Sequence, residues 1–327
     1  MLNKHAIAIL ACLSLFLTAC NSDNKEQAKF SLGLSDAPVD DAEIVMIKID
    51  SIKVINTDES NGKQEILIER FTYEGALVDS IQVNLRDLTG TRQIKIIDEA
   101  QGISLDDGVY TMELNVDDAG SYVVLASNGE KYDIKIPSSR LRLGEFTVHS
   151  DAVQVDDKPA YTIEFDLSQS LVLRGNDPAK NGYIIKPHGV RIVSLYGDIS
   201  GTVSAINTNL GACMVYLYDG TLTESADLAD LFDSNDVSFV GPVPTAIAPL
   251  AATNVDVSGT VDVKGTYSIG FVPEGDYTLA LRCNSETDDN ILYERLTIPS
   301  VDIKSQPVED NLQTVHISAD SPSIVDF

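Results

Sequence analysis

From about residue 29 onward the chain alternates apolar and polar residues with a period of two, and this excludes most folds. A period of two puts one set of side chains on each face of a strand; a helix needs apolar residues at i, i+3, i+4. In "EIVMIKIDSIKVIN" (43–56) the apolar positions are Ile47 and Ile49, then Ile52 and Val54. The phase changes near Asp50-Ser51, which predicts a bulge or bend. "SIQVNLRDL" (80–88) alternates Ile81, Val83, Leu85. In "YVVLASNGEKYDIKI" (122–136), Asn128-Gly129 sits between two alternating runs and predicts a hairpin, since both residues tolerate positive φ. "AYTIEFDLSQSLVL" (160–173) reads as a strand pair or one long bent strand, and "YIIKPHGVRIVSLYGDISGTVSAI" (183–206) as strand, turn, strand. One helix is expected, in "TESADLADLFDS" (223–234), where Leu228, Leu231 and Phe232 fall at i, i+3, i+4 behind acidic first-turn residues. Pro242, Pro244 and Pro249 make 241–254 a long loop.

The first residues do not alternate. Lys4 is followed by an apolar run from Ala6 to Leu17, too short to cross a hydrocarbon core of about 30 Å as a helix. A charged start, a short apolar run and small residues before a cut describe a secretory signal peptide. The cut region, Leu17-Thr18-Ala19-Cys20, resembles the lipobox of bacterial lipoproteins. The resemblance implies a diacylglyceryl group on the Cys20 thiol, removal of residues 1–19, and anchoring through that lipid. Residues 20–28 are polar and read as a flexible tether. Asn21, by analogy with the sorting rule of enteric bacteria, directs the protein to the outer membrane.

The 327-residue length suggests two domains, with a boundary near Gly197: a β-rich unit at 29–196 and a second at 197–327. The fold class expected is all-β, two β-sandwich-like domains in tandem after a cleaved lipoprotein signal peptide. Of the net charge of −27, residues 197–327 carry −16, with only Lys264, Arg282, Arg295 and Lys304 as bases. Such a surface repels phosphate, which argues against nucleic acid as a partner.

No HExxH, GxSxG, phosphate-loop or dinucleotide glycine motif occurs, and His149, His188 and His316 are isolated in sequence. No catalysis is expected. Three acidic loop clusters are weak calcium candidates: Asp36, Asp40 and Asp41; Asp117 and Asp118; Asp233 and Asp236. Calcium favours six to eight oxygen ligands, yet none of these clusters has EF-hand spacing. The chain has no Trp, and Tyr196, Tyr216, Tyr218 and Tyr267 sit in strand patterns where they would fill or edge a core, leaving few aromatic platforms for sugars.

The first half resembles the bacterial domain of unknown function numbered 4382 over roughly residues 29–195. The carrying stretches are "FSLGLSDAPVDDAEIVMIKIDSIKV", "DDGVYTMELNV", "YDIKIPSS" and "YTIEFDLSQSLVL…GYIIKPHGVRIV". It implies an exported β-rich domain and no reaction. The second half is similar to carboxypeptidase-regulatory-like modules with a prealbumin-type sandwich, on "GDISGTVSA" (197–205), "CMVYLYDG" (213–220) and "GTYSIGFVPEGDYTLALRC" (265–283), with 223–254 as an insertion. That resemblance implies that the strand opened by Cys213 lies beside the strand closed by Cys283, and so a disulfide between the two. The expected role is structural or interaction-based in the cell envelope, with an unknown protein or glycan partner. The alternative is a glycan-binding module of an envelope polysaccharide system.

Overall fold

The computed structural model describes residues 27–37, 42–58, 65–154, 158–209, 211–223, 226–232, 239–258, 264–283, 296, 311–319 and 321–327. Strands make up 57% of it, and the helices are single turns, so the fold is all-β and sandwich-like. Among the described residues no strand pairing joins those of 27–193 to those of 196–327.

In the first group the centre is the strand Ala42–Asn56. It pairs antiparallel with Gly108–Val116, Tyr122–Leu125, Glu65–Ile68 and Ile81–Asn84. Its phase change is a β-bulge: Ser51 faces Asn115, Ile49 faces Val116, and Asp50 is left without a cross-strand partner. The extra residue lets Val45, Ile47 and Ile49 on one side of it, and Ile52 and Val54 on the other, reach the same core. The hairpin of Tyr122–Leu125 and Lys131–Lys135 is present, but with a longer connection than a two-residue turn. Leu125 and Glu130 close it, and only Gly129 takes a positive φ, of 69°. Asn128 instead accepts from the Glu130 N–H through its side chain.

The stretch 160–173 divides into two strands in different sheets, Tyr161–Asp166 and Leu171–Leu173, separated by one helical turn, Leu167–Ser170. Tyr161–Asp166 pairs in parallel with Leu32–Ala37, inside a four-stranded sheet ordered Val190–Val193, Tyr161–Asp166, Leu32–Ala37, Gln93–Ile97. One face of this sheet, with Leu32, Leu34, Tyr161, Ile163 and Phe165, closes the core against the larger sheet. Its other face carries Ser35, Gln93, Thr162, Glu164 and Arg191.

The second group is a sandwich of two sheets. One is ordered Gly265–Pro273, Tyr196–Val203, Ser323–Ile324; the other Ala251–Asn254, Cys213–Asp219, Gly275–Cys283, Leu312–Ile317. Ile199, Val203 and Ile269 from the first meet Val215, Leu217, Leu279 and Leu281 from the second. Ser323–Ile324 lies parallel to Ile199 and Ser200, and the backbone ladder continues through Val325 N–H to Ser200 O and Phe327 N–H to Thr202 O.

The helix expected over 223–234 is absent from its described part, 226–232. Leu228 instead bridges Ile247, and its carbonyl accepts from the Leu296 N–H. An isolated helix this short is marginal in water, so packing decides. In the irregular path Leu228 and Leu231 bury against Met214, Tyr216, Tyr218 and Ala280, a gain of roughly 1.5–3 kcal/mol for each leucine. The proline-rich stretch 241–254 is likewise not all loop. Past Pro249 it becomes the strand Ala251–Asn254, paired antiparallel with Cys213–Asp219.

Candidate functional site

The polar face of the four-stranded sheet is where the second group docks. Ala251–Asn254 approaches Leu32–Ala37, and Gly265–Pro273 approaches Val190–Val193. Thr162 Oγ1 donates to Gln93 Oε1 (2.9 Å), and Gln93 Nε2 donates to the Tyr196 hydroxyl oxygen (2.8 Å). The Tyr196 ring packs on Phe271 at 4.9 Å between centroids, with Val193 beside them. Inside the second group Phe271 N–H donates to Asp198 Oδ1, and its strand pair is extended by Glu274 N–H donating to Leu195 O. Lys158 Nζ stands 3.9 Å from Asp198 Oδ2. The two backbones touch as well: a Cβ on Gly270 would lie 2.4 Å from Gly90 O. Leu195 and Phe271 have φ of 54° and 57°, left-handed values that cost a bulky residue about 1–2 kcal/mol each.

Within this layer Arg191 Nε and Nη2 both lie 2.5 Å from one oxygen of Glu164, Oε2. Burial pushes the Glu164 carboxyl up to about 7, Arg191 pulls it down, and the charges of Asp166 and Asp198 add to the rise. Burial also opposes the charge on Arg191, but Glu164 and Asp166 outweigh it and hold the guanidinium protonated.

Asp36, in Leu32–Ala37, is 1% exposed, and neither of its carboxylate oxygens has a hydrogen-bond partner. Burial, then the charge of Asp166, push its pKa well above the usual carboxylate range, while Arg86 pulls the other way. The Leu167 N–H also favours the charged form, from outside normal hydrogen-bond geometry. A carboxyl so placed is held neutral.

Cys213 and Cys283 form a disulfide between adjacent antiparallel strands, directly opposite in register, with Cα atoms 4.0 Å apart. Asp117 has other work than metal ligation: it caps Ala119 N–H and pairs with Lys48 Nζ at 2.7 Å, and that hydrogen bond holds its carboxyl below the usual range. Asp118 accepts from Ile136 N–H. Cys20, Asp40, Asp41, Asp233 and Asp236 lie outside the described residues. Among the described residues no three His, Cys, Asp or Glu side chains converge to hold a metal. His316 pairs with Asp276 at 2.7 Å across two neighbouring strands, both side chains exposed. Tyr196, Tyr216, Tyr218 and Tyr267 are buried, as their strand positions imply.

An open groove of about 430 Å³ runs between Lys131–Lys135 and the turn Pro178–Asn181. Lys131, Lys135, Lys180, Tyr132 and Asn181 line it, with Glu130 and Asp133 as counter-charges. Lys131 Nζ sits 3.5 Å from the centroid of the Tyr122 ring, and Lys180 pairs with Asp177 at 2.9 Å. No helix among the described residues is long and apolar enough to cross a membrane.

Sequence reasoning missed the Glu164–Arg191 pair. Thr162 and Glu164 alternate with Tyr161, Ile163 and Phe165, which reads as a solvated outer face. The one hint in the sequence was the absence of any further charge between residues 159 and 165.

Residues 27–187 match the family described as Domain of unknown function (DUF4382). The strand Val190–Val193 lies beyond the match yet pairs with Tyr161–Asp166 inside it. A search of the curated proteins finds no match. Among solved structures, the chain is similar to a leucine-rich repeat protein from Bacteroides thetaiotaomicron at 12% identity and a TM-score of 0.21, over 92% of this chain and 26% of that one. The chain thus spans about a quarter of that protein's length. It is also similar to the fimbrial anchor protein Mfa2 from Porphyromonas gingivalis, at 10% identity and a TM-score of 0.17, over 77% and 76% of the two chains. At these TM-scores no common architecture follows.

Proposed function

We propose that this is a lipid-anchored envelope protein, tethered through Cys20 to the outer membrane, with a structural or interaction role and no catalysis. The observation that carries the reading is the junction between the two sheet groups. Backbone contact at Gly90 and Gly270 and the Thr162–Gln93–Tyr196 chain hold the two sheet groups as one body. Such a body transmits position, and load, from its tethered end to its far end. The tether would enter it directly, because Gln27–Lys29 is already a strand paired with Ser104–Asp106. In this reading residues 29–196 and 197–327 are two domains, the second a prealbumin-type sandwich. Two acyl chains or more on Cys20 make attachment stable, whereas one is marginal. The test is Cys20→Ser expressed in a Gram-negative host. The variant should remain unprocessed or appear in soluble fractions; a processed form still wholly in the detergent phase refutes the anchor.

A second reading, glycan binding, is favoured by the lysine-lined groove beside Tyr132. A glycan array on the soluble chain from residue 20 onward separates the two. Binding that Lys135→Glu abolishes supports the second reading, and no binding leaves the first.

A further inference from the structure

We infer that the two sheet groups are joined by a pH-responsive clasp, in which the Glu164–Arg191 pair between them controls how tightly the second group docks. Three observations carry this beyond the proposed envelope role, and none depends on that role. Glu164 is 5% exposed although it projects from the face of the sheet opposite the core, so the second group is what removes it from water. Its charge is met by a single guanidinium that converges on one of its two oxygens. At the same junction, Leu195 and Phe271 are held at positive φ, one on each side of the Tyr196 contact. Strain at bulky residues persists only while the surroundings enforce it.

The charges around Glu164 set the direction. Its own strand supplies Asp166, while Asp36 in Leu32–Ala37 is held neutral on the opposite face. Val190–Val193 supplies Arg191, the second group adds Asp198, and Tyr277 faces Arg191. Lys158 reaches Asp198, while Lys95 on the neighbouring strand is engaged by Asp98 at 2.5 Å. Two acids, Asp166 and Asp198, against one directly bonded cation make the ionised carboxylate a poor occupant of the closed layer. Opening the junction would return Glu164 to water and to its ordinary range. Docking is therefore tightest when Glu164 carries its proton. It loosens as pH rises from the ordinary glutamate value of 4.5 toward the closed-state value of about 7. A difference of that size changes the closed-to-open ratio by up to about three-hundredfold.

The experiment is hydrogen–deuterium exchange on the full chain from residue 20 onward, between pH 5 and 8, corrected for the intrinsic exchange rate. The reporters are the backbone amides of Gly90, Thr91 and Gly270, where the backbones of the two groups meet in the closed state. Their protection should fall by one to two orders of magnitude as pH rises, while amides of the central Ala42–Asn56 strand hold theirs. Glu164→Gln should flatten the junction profile. Asp36→Asn should leave it in place, because that carboxyl sits on the other face of its strand. A flat profile in the unaltered protein overturns the clasp, as does a Glu164→Gln variant that keeps the full pH dependence or an Asp36→Asn variant that loses it. If Glu164→Gln does not fold, carboxyl carbon NMR of the unaltered protein decides. A Glu164 midpoint near 7 supports the clasp, and one at or below 4.5 refutes it.

Discussion

Replacing both Cys213 and Cys283 by alanine tests the energetics of the second sandwich. The disulfide spans 70 residues. In the chain-entropy account a 15-residue loop contributes about 3 kcal/mol and a 100-residue loop about 4.7, which puts this bridge at about 4 kcal/mol. Much of that should be realised here. The two cysteines are the terminal pair of a seven-residue antiparallel register from Cys213 with Cys283 to Asp219 with Tyr277, so the strands already hold them side by side. The loop also encloses the Leu228 and Leu231 cluster, whose attachment depends on Tyr216 and Tyr218 in the cross-linked strand. Scanning calorimetry of the soluble chain is the assay. The second group comprises residues 196–327, and its transition should fall by roughly 10–20 °C, with that of residues 27–193 displaced far less. Reduction of the unaltered protein should reproduce the change. A drop under about 3 °C would refute the loop-entropy argument.

Gly201→Ala should loosen the last strand, because its Cβ would stand 1.7 Å from Val325 O. Urea melts of the second group should show a loss of roughly 1–3 kcal/mol, and the Val325 and Phe327 amides should exchange faster. Tyr218→Phe deletes the hydroxyl that donates to Ala229 O at 2.6 Å and leaves that buried carbonyl unpaired, at a cost of roughly 1–3 kcal/mol in the same melts. Asp36 and Glu164 both have folded-state pKa values above their unfolded 3.8 and 4.5. Their contribution to stability is therefore fully present below those unfolded values and is lost as pH rises. Melting temperature should decline from about pH 4 to 7, and Asp36→Asn should flatten part of the decline; an unchanged slope in that variant contradicts the neutral carboxyl. Asp98, Asp117 and Asp326 are shifted down and act oppositely, so their contribution fades only under more acidic conditions.

What could be read from the sequence was what one strand decides for itself. The phase change at Asp50-Ser51 predicted the bulge because side-chain alternation is a property of the strand alone, and any core it faces must accommodate it. The pairing of Cys213 with Cys283 followed from a family resemblance that placed two strands side by side, and the register then put the cysteines opposite one another. Tertiary structure decided the rest wherever local preference was weak or burial came from a distant segment. The 223–234 stretch had helical spacing, but Tyr216, Tyr218 and Ile247 offered its leucines a better site along an irregular path. Asn128-Gly129 marked the hairpin but not its loop length, which the hydrogen bond from Leu125 N–H to Glu130 O sets. Glu164 is the extreme case. Its own strand assigns it to a solvated face, and only the docking of residues 196–327 on that face turns an ordinary surface glutamate into a buried, shifted acid. The alternation of one strand reports which of its faces is apolar; it carries no record of a second layer of polar groups that another part of the chain will cover.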